Sequence, residues 1–346
     1  MNIVTITDAW RPQVNGVVNT IVRTNEQLGT LGHMTHVISP QDFRTVPLPT
    51  YPEIRLALFP GRRVRAMLET LNPDAVHIAT EGPLGLAARA WCLENRFPFT
   101  TAFHTQFPEY LWLRTRIPLA LSYRLMRWFH GPASTLMVAT PTLHQHLTRW
   151  GFRNLGYWSR GVNTELFRPR TKSYLDANRP IFLYMGRVAI EKNIEAFLKL
   201  DLPGTKYVVG SGPDLETLQR KYTAVRFTGY KSDEELAKHI AAADVFVFPS
   251  RTDTFGMVMI EALSCGIPVA AYPVQGPLDV IEHGVTGCLS DNLREAALEA
   301  LKLNPERCRE TAMKYTWEAC TRQFLGHLET ARRDNPAALA ASRPAG

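Results

Sequence analysis

"DVFVFPSRTDTFGMVMIEALSCGIPVAA", residues 244–271, holds the pattern that decides the architecture. DVFVFP (244–249) and IPVAA (267–271) are apolar at successive positions, and the stretch between them has room for one helix. Strands that do not alternate are covered on both faces, and a strand, a helix and a second strand in this order make parallel neighbours. Asp253 and Glu261 interrupt the segment with almost nothing polar between them. Helical spacing puts Asp253 outside or at the start of the helix and Glu261 two turns in, on one face with Met257. A carboxylate on such a helix is costly unless it binds something, and vicinal sugar hydroxyls are a natural partner.

The same alternation runs outward in both directions. NIVTI (2–6), THVIS (35–39), AVHIA (75–79), FTTAF (99–103) and LMVAT (136–140) precede it, and IFLYM (181–185), KYVVG (206–210) and AVRFTG (224–229) lead into it. The class is α/β, with two Rossmann-like parallel-sheet domains, and the 346 residues suffice for two cores. The segment 163–180, rich in Pro, Asn and charge, is where the break is expected. That gives a first domain over 1–165 and a second over 176–315. Open α/β sheets bind ligands beyond the carboxyl ends of their strands, so the two domains are expected to face a common cleft.

The composition, 45% hydrophobic and 21% charged, is that of a soluble globular chain, and no apolar run is long enough to span a bilayer. The start, MNIVTITDAW, reads as a buried strand rather than a secretory signal, which implies a cytoplasmic protein. Five scattered cysteines without a CxxC argue against a disulfide frame and a zinc site, so no metal is expected. Residues 1–160 carry 16 arginines, no lysine and 9 acids, whereas the remainder is balanced. The first half is therefore expected to face something anionic.

Four strand-to-helix junctions carry polar residues suited to a ligand. TDAWRPQVNGVVNTI (7–21) groups Asp8, Arg11, Pro12 and Asn15 at a strand end, with Asn15-Gly16 expected to make a tight turn before a helix N-terminus that can face a phosphate. YMGRVAIEKNIEAF (184–197) puts Arg187 and Lys192 in one loop, with Lys192 expected in a helix's first turn, where it opposes the dipole; two cations there suit a diphosphate. VVGSGPDLETL (208–218) is a third glycine junction, as readily a plain turn as a ligand contact. TTAFHTQFPEY (100–110) places His104 at a strand end, able to bond a sugar hydroxyl or steady a developing negative charge.

Arginine-rich stretches form a separate signal. PGRRVRAMLETL (60–71) has Val64, Leu68 and Leu71 on one helical stripe and Arg62, Arg63 and Arg65 in the first turn. Residues 110–160 hold seven arginines and no acid, and include Trp112, Tyr123, Trp128 and Phe129. Arginine with interfacial aromatics suits an anionic bilayer surface, at about 1 kcal/mol per cation near the headgroups, and an ordinary core helix with a solvated face is the alternative. No nucleic-acid motif accompanies the charge.

Taken together, the Asn15-Gly16 junction, GRVAIEKN, GSGP, FTGY with ADVFVFPS, and Asp253-x7-Glu261 resemble the retaining glycosyltransferases of family 4, over residues 2 to about 330. The family's commoner first residue in that last element is Glu. The resemblance implies the GT-B fold, with Arg187 and Lys192 holding a donor diphosphate and Glu261 its ribose. It puts Asp253 and the backbone of Phe255 and Gly256 on the transferred sugar, with Met257 beside them. Gly16 would lie near the β-phosphate, Tyr230 and Lys231 near the base, and His104 on the acceptor side with Asp8 and Asn15. TWEACTRQFLGHL (316–328) is similar to a terminal helix that returns to the first domain, here 316–331, followed by a disordered tail over 332–346.

Within the family the chain looks most like diacylglycerol glycosyltransferases, sulfoquinovosyl diacylglycerol synthases and GDP-mannose-dependent α-mannosyltransferases. The resemblance thus implies hexose transfer, with retention, from a UDP- or GDP-linked sugar to a diacylglycerol or glycolipid hydroxyl, with no metal or other cofactor. Arg62, Arg63 and Arg65 would meet an anionic membrane surface on the inner face of the cytoplasmic membrane. A soluble acceptor and a non-catalytic nucleotide-sugar-binding scaffold stay open as alternatives.

Overall fold

The computed structural model describes residues 1–13, 15–48 and 51–333. The chain forms two compact units, one of Met1–Ser159 with Trp317–Arg333, the other of Arg160–Thr316. The expected tail falls, from residue 334 on, outside the described residues.

The first unit is built on strands β1 (Asn2–Ile6), β2 (Met34–Ile38), β5 (Ala75–Ile78), β6 (Phe99–Ala102), β7 (Thr135–Val138) and β8 (Leu155–Tyr157), all parallel, in the spatial order 2-1-5-6-7-8. A two-stranded antiparallel sheet, β3 (Thr45–Leu48) with β4 (Tyr51–Ala57), lies outside it and was not read from the sequence, nor was the short edge strand β8. Helices α1 (Gly16–Thr30), α2 (Gly61–Leu71), α3 (Pro83–Glu94), α4 (Phe107–Thr115), α5 (Leu119–His130) and α6 (Pro141–Arg149) complete the crossovers. The inner strands β5 and β6 are buried at every position, as doubly covered parallel strands must be, whereas the edge strands β2 and β8 are partly exposed. A terminal helix, Trp317–Arg333, adds Cys320, Phe324 and Leu328 to a core with Ile3, Leu28 and Trp158.

The second unit repeats the scheme with β9 (Ile181–Met185), β10 (Thr205–Val209), β11 (Arg226–Gly229), β12 (Val245–Phe248), β13 (Val269–Ala271) and β14 (Gly287–Leu289) in the order 11-10-9-12-13-14, again parallel. Its helices are α7 (Ile194–Leu198), α8 (Leu215–Lys221), α9 (Asp233–Ala241), α10 (Met257–Ser264), α11 (Pro277–Val280), α12 (Leu293–Ala300) and α13 (Pro305–Ala312). Residues 160–175 belong to this unit rather than to the first, because side chains from far along the chain fix them there. Arg309 on α13 donates to the carbonyls of Phe167 (2.8 Å), Ser264 (2.6 Å) and Thr164 (3.1 Å), and Ser264 Oγ donates to Phe167 O.

Both sheets reverse direction at one point. The chain leaves β1 toward β2 and resumes at β5 on the other side; it leaves β9 toward β10 and β11 and resumes at β12. At such a reversal the two loops beyond the carboxyl ends diverge and leave a crevice.

Candidate functional site

In the second unit the reversal at β9 and β12 brings together loops that lie far apart in sequence. Beyond β9, Ile190–Lys192 form a single 3-10 turn, Asn193 is left-handed (φ 51°), and α7 starts only at Ile194. Lys192 therefore precedes the helix instead of standing in its first turn, as the sequence reading had it; the left-handed Asn193 ends the 3-10 turn. Beyond β12, residues 249–256 run to α10, whose N-cap Gly256 is also left-handed (φ 79°). Asn193 Nδ2 donates to Pro249 O (3.0 Å) and Thr252 Oγ1 to Glu191 O (3.2 Å). These two contacts clamp the loops edge to edge.

The clamp sets the charged groups. Lys192 Nζ meets Asp253 Oδ1 at 2.5 Å, while Asp253 Oδ2 is buried and accepts no hydrogen bond from the described residues. Arg187 Nε lies 4.0 Å from Glu191 Oε1, and Arg187 O accepts a hydrogen bond from Tyr184 Oη at 2.7 Å. Glu261 is the fifth residue of α10, one turn rather than two beyond its start, because the helix begins only at Met257. Burial pushes its carboxyl up to about 8, so it is largely protonated at neutral pH. Phe255 is buried and packs against Tyr315 in a T-shaped, edge-to-face pair with ring centroids 5.9 Å apart, and Met257 and Gly256 are partly exposed at the helix start.

The GSGP turn supports this arrangement from behind. Val188 N donates to Ser211 O (2.9 Å), Gly186 N to Val209 O (3.0 Å) and Gly210 N to Gly229 O (2.9 Å). A Cβ on Gly210 would lie 1.9 Å from Gly186 O, so only glycine lets the β9 and β10 loops touch here. Tyr230, half exposed, follows β11, and Lys231 pairs with Glu235 at 2.5 Å.

In the first unit, Asn15 is not in a left-handed turn. It is extended (φ −153°) and caps α1, its Oδ1 accepting from Val17 N and Val18 N at 3.0 Å, with Gly16 already helical. Capping by Asn removes the need for a positive φ and leaves an anchored helix start. Asp8 is spent inside the protein: its carboxylate accepts from Leu84 N (2.9 Å), Gly85 N (3.3 Å) and Thr80 Oγ1 (2.9 Å), satisfying the N-terminus of α3. Desolvation raises the Asp8 carboxyl against those three bonds. Its sequence assignment to the acceptor gives way to a capping role, since both oxygens are engaged. His104 follows β6, partly buried, its ring 5.5 Å edge-on from that of Trp158.

The arginines of α2 are exposed, but two have partners. Arg65 pairs with Glu94 and, at 4.0 Å, with Glu69, and the Arg63 guanidinium lies 5.5 Å from the centre of the Phe43 ring. Sequence reasoning singled out Arg187, Lys192, Asp253 and Glu261, which the second unit gathers at one strand reversal. It missed Asn193 and Thr252. Both were in view as polar loop residues, but the partners that give them a role lie 56 and 61 positions away.

Two units, each built on a parallel sheet that reverses once, are the GT-B architecture. Residues 168–314 match the family model of glycosyl transferases group 1, and residues 14–166 match that of glycosyltransferase family 4. The chain belongs to these glycosyltransferases. It is 28% identical to a GDP-mannose-dependent alpha-mannosyltransferase of Corynebacterium glutamicum, over 94% of this chain and 88% of that one. It is 28% identical to the sulfoquinovosyl transferase SQD2 of Arabidopsis thaliana, covering 83% of this chain and 64% of that longer one. With the alpha-monoglucosyldiacylglycerol synthase of Acholeplasma laidlawii it shares 26% over 88% of this chain and 89% of the other. The fold is shared with the solved structure of sucrose-phosphate synthase from Thermosynechococcus elongatus, at a TM-score of 0.74, 23% identity and coverage of 99% and 100%. These families are the ones that the sequence motifs resemble.

Proposed function

We propose that this glycosyltransferase moves a hexose, with retention, from a UDP- or GDP-linked sugar to the hydroxyl of diacylglycerol or a glycolipid at the cytoplasmic face of a membrane. The observation that carries the reading is the meeting of Lys192 with Asp253 beyond the β9 and β12 strand ends, with Arg187 in the same β9 loop and Glu261 on the helix that follows Asp253. Arg187 and Lys192 take the diphosphate, whose developing charge two fixed cations stabilise as the glycosidic bond breaks. Glu261 accepts from the ribose hydroxyls, and the unpartnered Oδ2 of Asp253 from the sugar.

Phe255 and Gly256 present backbone to the same sugar, with Met257 against it. Tyr230 and Lys231 flank the base. The family resemblance assigns Gly16, at the start of α1, to the β-phosphate and His104 to the acceptor. The preferred course is front-face substitution through an oxocarbenium-like transition state, the leaving phosphate drawing the proton from the acceptor hydroxyl. The cations do the work a metal does elsewhere, so none is required. The relative named as an alpha-monoglucosyldiacylglycerol synthase supports a lipid acceptor, and the one named as GDP-mannose-dependent supports a nucleoside diphosphate sugar as donor.

The test is thermal stabilisation by UDP, GDP and ADP in turn, with and without EDTA. A ligand at a hundred times its dissociation constant adds about 2.7 kcal/mol of stability. Stabilisation by one diphosphate in EDTA, followed by labelled sugar appearing in diacylglycerol vesicles, is expected. Absence of any stabilisation removes the nucleotide-sugar reading, and transfer only to soluble acceptors removes the lipid one.

A further inference from the structure

The outward side of α5 carries an apolar stripe that is left largely exposed, the Arg89 guanidinium of α3 lying over Trp128 alone. Ser122, Tyr123, Met126, Phe129 and His130 face the core, while Leu121, Leu125 and Trp128, at i, i+4 and i+7, are 59%, 52% and 53% exposed. Arg124 lies within the same stripe, and Arg127 borders it, both exposed. Isolated exposed leucines are ordinary, but three large apolar side chains aligned on one helix are an interaction surface.

The neighbourhood extends the pattern with more arginine and tryptophan. On α4, which α5 holds through a 2.6 Å hydrogen bond from Tyr123 Oη to Glu109, Trp112 is 39% exposed with the Arg116 guanidinium 4.6 Å from the centre of its ring. From α3, Arg89 donates to the carbonyls of Trp128 (2.8 Å) and Phe129 (2.9 Å) and stacks 4.2 Å above the Trp128 ring. That guanidinium holds Trp128 in its outward pose.

We infer that α5, not α2, is the element seated on the membrane, with Leu121, Leu125 and Trp128 inserted among the headgroups of an anionic bilayer and Arg124 and Arg127 against their phosphates. The inference rests on the lipid-acceptor reading and says which surface delivers it. Charge selects the occupant. Helix α5 itself carries Arg124 and Arg127 and no acid, so a second copy docking by the same face would oppose like charges, whereas anionic headgroups complement them. Apolar and indole side chains flanked by cations match a headgroup boundary layer by layer. The outward residues of α2, by contrast, include Arg62, Arg63, Ala66, Glu69 and Thr70; its large exposed apolar neighbours, Leu58 and Phe59, lie in the loop before the helix and form no stripe along it.

The experiment is sedimentation of the whole chain with phosphatidylcholine vesicles, with or without phosphatidylglycerol. The wild type is expected to prefer the anionic vesicles, and L121Q/L125Q to lose about tenfold or more in partitioning. R124S/R127S loses the anionic preference, whereas R62S/R63S/R65S stays within about twofold of wild type. The difference in tryptophan emission between wild type and Trp128→Phe should shift to the blue on vesicle addition, which tests the same face without altering the leucines. Retained stabilisation by nucleoside diphosphate certifies folding and keeps the donor reading separate. Equal binding by L121Q/L125Q and wild type, loss of binding in R62S/R63S/R65S alone, or a wild-type dimer that L121Q/L125Q dissociates would each overturn the assignment.

Discussion

Lys192 Nζ and Asp253 Oδ1 stand 2.5 Å apart although 61 positions separate the residues, one following β9 and the other β12. Neighbouring parallel strands at a sheet reversal bring their carboxyl-end loops together, and the Asn193 and Thr252 contacts remove the remaining slack. The pair is partly buried, with side chains 22% and 17% exposed, so each charge depends on the other for compensation.

Lys192→Ala is expected to weaken nucleoside diphosphate binding about tenfold or more and to lower stability, because it leaves a partly buried carboxylate uncompensated. Asp253→Asn should keep diphosphate binding while transfer falls about a hundredfold or more, since it removes an interaction with the sugar rather than with the phosphates. Calorimetric titration set beside kcat separates the two. Equal loss of binding in both variants would place Asp253 with the phosphates.

Glu261 gives a pH signature. Its folded value of about 8 lies above the unfolded 4.5, so the folded state holds the extra proton between those values. Stability conferred by the neutral acid is present at low pH and is lost progressively as pH rises from about 4.5 to about 8. Glu261→Gln should flatten that slope and raise Tm above pH 8, yet weaken nucleoside diphosphate binding by replacing one of the two carboxyl oxygens that face the ribose with an NH2 that only donates. A slope unchanged in the variant would assign it to another group.

Asp8 and Gly82 form a second tight pair. A Cβ on Gly82 would fall 2.4 Å from Asp8 Cγ, so Gly82→Ala must displace the carboxylate from the start of α3. Both Gly82→Ala and Asp8→Ala are expected to cost about 1–2 kcal/mol in urea unfolding, the range for a lost helix cap. Wild-type stability in Asp8→Ala would show that water replaces the cap.

Gly210→Ala tests the support behind the donor loops. With its Cβ directed at Gly186 O, the β9 loop has to move, at a cost of about 1–3 kcal/mol, and diphosphate stabilisation should fall with it. Stability lost with binding intact would separate the turn from the site.

His104→Ala should lower kcat while leaving diphosphate stabilisation within about twofold of wild type, because the residue follows β6 in the other unit. An equal fall in both would move His104 to the donor side.

The apolar runs of the sequence determined that the chain makes doubly covered parallel strands, since strand burial on both faces is a local, consecutive property. They also carried the glycosyltransferase motifs, because cations and carboxylates at strand ends keep short, readable spacings. Edge strands β8 and β14 and the β3–β4 pair were too short or too polar to stand out, their strand character coming from a neighbour rather than from their own side chains. Only the tertiary structure decided that Lys192 meets Asp253, that Asp8 caps α3, and that α5 turns Leu121 and Leu125 outward while Arg65 is held by Glu94. Each of these depends on which residues distant in sequence become neighbours, and side-chain chemistry at one position carries no record of its partner.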